Sequence, residues 1–142
     1  MSEQNKQFVR RFFEQIDTGE PAILDEFVGQ RYDDHNPPPF PDLPPGIAGA
    51  HKAFNLALDA FSDFKHEVLD QVAEGDKVVT RIRASGKHTG TFLGIPATNK
   101  DVTMEGIAVH RIADGKIVEH WSTIDAFGLF VQLGVAQPPG AV

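Results

Sequence analysis

The last alternating run of the chain, Gly115-Lys116-Ile117-Val118-Glu119-His120-Trp121-Ser122-Thr123-Ile124-Asp125, carries two carboxylates, a hydroxyl and the only tryptophan at every second position. Strand side chains alternate between faces, so Ile117, Glu119, Trp121, Thr123 and Asp125 are expected on one side. Such a face makes a poor core. It makes a reasonable wall for a cavity that holds a flat, partly polar molecule and moves a proton. Asp125 is the candidate to move it, because burial beside Trp121 and Met104 would raise a carboxyl pKa toward working pH. The competing reading is that Asp125 caps Ala126-Phe127-Gly128-Leu129 by accepting backbone N–H groups.

Asp114-Gly115 between two alternating runs is a strong hairpin signal. A two-residue turn there sets His110 opposite Glu119, Ala108 opposite Trp121, Gly106 opposite Thr123 and Met104 opposite Asp125. Directly opposed residues share a face, so Gly106 and Ala108 would leave open space beside Trp121. A bulge in either strand would reverse half of this assignment. His110 and Glu119 then form either a polar end to a cavity or a half-exposed pair near the hairpin tip. His88, at a strand end beside Thr89-Gly90, faces the cavity or serves the turn. His35 and Asn36 precede a proline run and either assist at the site or fasten that run to the body.

The elements that must position these residues run helices first and strands second. Phe8, Val9, Phe12, Phe13 and Ile16 recur at helical spacing, and Gly19 marks a stop. A short helix is expected from Pro21 through Phe27, and a third from Ile47, with Phe54 among the apolar residues that line core and cavity. Between them, six of the chain's ten prolines fall within residues 37–46, which makes that segment a stiff flap. From Phe64 the pattern is β, broken by a loop over residues 88–96. Helices followed by hairpins indicate an α+β fold, with helices on one face of a curved antiparallel sheet.

The 142 residues suit a single domain spanning 1–142. A net charge of −7, with 13 basic residues scattered among 20 acidic ones, argues against nucleic acid. No apolar run approaches a membrane span, and Met1-Ser2-Glu3-Gln4-Asn5 is unlike a signal peptide, so a cytoplasmic location is expected. Without cysteine there is no thiolate chemistry. The six histidines form no helical pair with metal-ligand spacing, and no metal is expected.

Four segments resemble the SnoaL-like polyketide cyclases, which have the nuclear-transport-factor-2-like cone fold. They are Tyr32-x-Asp34-His35-Asn36-Pro37, the run from Gly86 to Pro96, Asp114 to Trp121 followed by Asp125, and Gly128-Leu129 with Gln132-Leu133-Gly134. One departure is Ala97-Thr98-Asn99, where the usual pattern reads Pro-Thr-Gly. The resemblance implies a conical sheet closed by helices, an apolar pocket for a hydrophobic or aromatic carbonyl substrate, no cofactor, and a homodimer or homotetramer built through the outer sheet face. It implies an intramolecular aldol ring closure in which Asp125 is the acid/base and His35 and Asn36 lie at the pocket mouth; from the residue pattern, Trp121, Met104, His88, His110, Glu119 and Phe54 are the residues expected to contact substrate. The outer face is expected to carry Glu105, Ile107, Val109, Val118, His120, Ser122 and Ile124. Two other functions remain open. One is epoxide hydrolysis or isomerisation with an arginine such as Arg81, Arg83 or Arg111, and the other is a non-catalytic carrier of small molecules.

Overall fold

The computed structural model describes residues 2–140. Its elements run α1 (Ser2–Ile16), α2 (Ala22–Phe27), β1 (Val28–Asp34), α3 (Ile47–Ala60), β2 (Phe61–Glu74), β3 (Lys77–His88), β4 (Asp101–Ala113), β5 (Lys116–Ile124) and α4 (Ala126–Gln132). The apolar stripe of α1 buries Val9, Phe12 and Phe13, as its 3.6-residue period requires. Thr18 and Gly19 donate back to Gln15 and Ile16 through their N–H groups, and Gly19 at φ 79° ends the run. The short α2 follows Pro21, whose fixed φ suits a helix start.

The sheet order is β1-β5-β4-β3-β2. Strands β2 to β5 pair antiparallel, and β1 lies parallel to β5 at the edge. Strand β1 includes Tyr32 and Asp34, in a segment the sequence pattern left without a regular element. Asp114 and Gly115 both have positive φ, which gives the hairpin turn its expected hand.

One extra residue in β5 changes the face assignment. Ala113 pairs with Lys116 and Ile112 with Ile117, but Arg111 then pairs with Glu119, so Val118 is the bulged residue. Beyond it His110 faces His120, Val109 faces Trp121, Ala108 faces Ser122 and Gly106 faces Ile124. The expected pairings of His110 with Glu119 and Ala108 with Trp121 are therefore corrected. A single inserted residue moves every later side chain to the opposite face.

The proline-rich flap has the predicted role. Pro37, Pro38, Pro39, Leu43, Pro44 and Pro45 close one side of a cavity, and Phe40 packs edge-on against Phe92. Gly49 seats the flap on α3: a Cβ there would lie 2.1 Å from the Pro44 carbonyl oxygen. Three apolar clusters form the core, around Phe12–Phe27–Ile117, around Val9–Phe13–Val78 and around Phe61–Leu129–Leu133.

Candidate active site

The main cavity, about 1220 Å³, lies between the concave face of the sheet, helices α1 and α3, and the flap. It exceeds the roughly 300–1,000 Å³ typical of small-molecule pockets. Most of its wall is apolar, with Phe12, Phe13, Phe54, Phe64, Met104 and Ala108 among its residues. Most of its polar groups gather around β1 and β5, with His110 next to them on β4 and His66 apart on β2.

Asp34, on the edge strand, points its carboxylate at the His120 ring, with Oδ1 to Nδ1 at 2.9 Å. The same oxygen accepts from the Asn36 backbone N–H at 3.0 Å. Both side chains are about four-fifths removed from solvent. A carboxylate facing Nδ1 orients the imidazole and leaves Nε2 as the basic nitrogen. Tyr32 stands beside this pair, its ring 6.3 Å from that of His120. Burial foremost, and then the Asp34 charge, hold its phenol far above the usual range, so it is a neutral donor.

His110 is the second imidazole at this end, 4.9 Å from His120 between ring centroids. Phe12 and Phe13 meet it edge-on. Burial, and after it the neighbouring His120, push its pKa down to about 3, so the ring is neutral at working pH. Its Nδ1 is buried without a hydrogen-bond partner among the described residues. Leaving a buried polar group unpaired costs about 1–3 kcal/mol, a cost that a bound ligand atom can remove.

Of the residues expected at the site, Met104, His110, Phe54 and Asn36 line the cavity. Asn36 sits at its rim, where its Oδ1 accepts from the Ser122 N–H at 2.9 Å. His120, Ser122 and Ile124, expected on the outer face, line the cavity instead. The bulge at Val118 accounts for that correction.

The same bulge sends Glu119 and Trp121 to the outer face. Trp121 stacks on His35 at 4.6 Å and 3°, and the Lys77 ammonium sits 5.4 Å from its ring centre. Glu119 accepts from His35 at 2.8 Å and from Arg111, contacts that hold its carboxyl below the usual range, His35 first. Asp33, His35 and Glu119 bring three potential metal-ligand atoms together beside that outer-face cluster, and Asp33 also borders the cavity. Arg81, Arg83 and Arg111 are also engaged outside, with Asp70, with Glu67 and Glu105, and with Glu119 and Asp76.

Asp125 takes up the capping position. Its Oδ1 accepts from the Gly128 N–H at 2.9 Å, and it borders a smaller depression with Thr123 and Ile107 rather than the main cavity. His88 is fully buried beneath the 88–96 loop, where its Nδ1 accepts from the Thr98 backbone N–H at 3.2 Å and lies 2.9 Å from the Thr98 hydroxyl. It fastens the loop and lines no part of the cavity.

Sequence reasoning passed over Tyr32, Asp34 and His120 as site residues. The Tyr32-x-Asp34 spacing on an extended segment was the available signal, because it puts both side chains on one face.

A family model of the SnoaL-like polyketide cyclases matches residues 7–133. The chain is 33% identical over 135 residues to the aklanonic acid methyl ester cyclase of Streptomyces peucetius, covering 92% of this chain and 90% of that one. It is 31% identical over 128 residues to the nogalonic acid methyl ester cyclase of Streptomyces nogalater, covering 87% and 92%. Among solved structures, TsrD from Streptomyces laurentii superposes with a TM-score of 0.82 at 32% identity, covering 92% of this chain and 95% of its own.

Proposed function

The chain belongs to the SnoaL-like polyketide cyclase family, and from that premise we propose that it closes a ring in a carbonyl-rich polyketide ester by an intramolecular aldol reaction. The observation that carries this reading is the Asp34–His120 pair at the polar end of a large apolar cavity. Nε2 of His120 removes a proton from the carbon next to a carbonyl. That carbon then bonds to the acceptor carbonyl carbon, and the resulting alkoxide recovers the proton from the imidazolium. No atom is gained or lost. Asp34 stabilises the charged imidazole between the two transfers.

Charge on the enolate oxygen is stabilised by hydrogen-bond donors placed at the cavity's polar end. His110, neutral and with an unpaired nitrogen, supplies one, and the Tyr32 phenol a second. A neutral imidazole in this role has a precedent in the isomerase chemistry of other folds. The chemistry needs no cofactor. Of the arginines, Arg81, Arg83 and Arg111 lie on the other face of the sheet in ion pairs, and Arg31 alone borders the cavity among the described residues.

The outer face carries exposed Val79 and Ile107 among the Arg81–Asp70, Arg83–Glu105 and Arg111–Glu119 pairs. Apolar residues ringed by both signs of charge suit a second copy of the same surface, so the working form is a homodimer. The test of the chemistry is Asp34→Asn assayed on aklanonic acid methyl ester. Turnover falling at least ~10²-fold with the fold intact is expected; near-full turnover overturns the assignment.

A further inference from the structure

We propose that the cavity carries a second polar anchor, the Asp17–His66 pair, which accepts a phenol or enol hydroxyl at the end of the ligand remote from the reacting carbons. The idea rests on the cavity being a ligand site, as the cyclase reading has it, and adds the chemistry of the ligand's far end.

Asp17 lies just beyond the last residue of α1, and its carboxylate reaches His66 on β2 twice. Oδ2 accepts from the His66 backbone N–H at 2.7 Å, and Oδ1 lies 2.7 Å from the ring Nδ1. The first contact pins helix to strand, and a purely structural aspartate would need no more. The second fixes the imidazole. With Nδ1–H donating to the carboxylate, Nε2 keeps its lone pair and becomes an acceptor. Phe13 and Phe64 stand against the ring at 5.3 Å and 5.0 Å and limit its rotation. The two side chains are 16% and 18% exposed, and His66 is part of the main cavity wall.

The anchor is well separated from the reacting end. Strands β5 and β2 are the second and fifth elements of the order β1-β5-β4-β3-β2, with β4 and β3 between them. At roughly 4.8 Å per strand the separation is about 14 Å along the sheet. The ring of Phe13 stands between, 5.3 Å from His66 and 5.7 Å from His110. Reacting atoms in a ring closure must approach within about 3–3.5 Å, so His66 is too remote to share the proton work of His120. It is placed to hold the other end of an extended, fused-ring molecule. Because Nε2 accepts, the matching group is a hydroxyl, and a methyl ether at that position loses the bond.

The test reads binding alone, so it stands or falls separately from ring closure. The probes are 2-hydroxyanthraquinone and its 2-methyl ether, titrated against the full chain and followed by fluorescence and visible absorption. The wild type should bind the phenol about tenfold more tightly than the ether, the worth of one hydrogen bond, and shift its absorption to the red. In His66→Phe both the preference and the red shift should vanish, while His120→Gln should keep them. Asp17→Asn, which retains the backbone contact, should weaken the preference and serves if His66→Phe fails to fold. Equal binding of phenol and ether by the wild type overturns the proposal, and so does a preference that survives His66→Phe or disappears only in His120→Gln.

Discussion

Replacing His110 by phenylalanine should flatten the acid side of the stability curve. In the folded protein burial, aided by His120, holds the imidazole pKa near 3; in the unfolded chain it returns to roughly 6.5. As pH falls between those values, the unfolded chain takes up a proton at this position that the folded chain refuses. The contribution is therefore intact above pH ~6.5 and lost progressively toward pH ~3, at about 1.4 kcal/mol per pH unit. From pH 6.5 to pH 4 the loss is about 3 kcal/mol, a large share of a typical domain's stability. Phenylalanine cannot take up the proton, and it removes the unpaired Nδ1. Its edge-on neighbours Phe12 and Phe13 are already apolar. Urea unfolding of both proteins at pH 7, 6, 5 and 4 gives the comparison directly. The wild type should lose about 3 kcal/mol more than His110→Phe across the range. Equal losses, within ~0.5 kcal/mol, would refute the idea of a buried neutral histidine at the cavity's polar end.

Two further outcomes follow from the same structure. Gly90→Ala should cost at least ~2 kcal/mol, because its Cβ would lie 1.9 Å from the Asp59 carbonyl oxygen; chemical denaturation checks it, and an unchanged midpoint would contradict the contact. Ile107→Arg, on the exposed outer face, should convert the proposed dimer to monomer in analytical ultracentrifugation. A wild type that already sediments as a monomer at all concentrations would rule out the dimer.

The sequence was most legible where structure is local. The helical stripe from Phe8 to Ile16, the Asp114-Gly115 turn and the proline flap each follow from residues a few positions apart. The face assignment failed at one residue, Val118, whose bulge exchanged Glu119 and Trp121 for His120 and Ser122 at the cavity wall. Alternation alone does not reveal a bulge, because both registers satisfy the hairpin turn. Asp34 and His120 are 86 residues apart in sequence, and Asp17 and His66 are 49 apart. Such pairs arise from strand order and helix docking, which no local pattern encodes. For Asp125 both readings were available from its neighbours, and its bond to the Gly128 N–H favours the cap.

The central claim is that the proton is handled by His120 with Asp34, and not by Asp125. The most direct measurement is the turnover of aklanonic acid methyl ester by wild type, His120→Gln and Asp125→Asn side by side. The account predicts a loss of at least ~10²-fold in His120→Gln and a change of no more than about threefold in Asp125→Asn, since asparagine caps a helix about as well. The opposite pattern, an inactive Asp125→Asn beside an active His120→Gln, would contradict it.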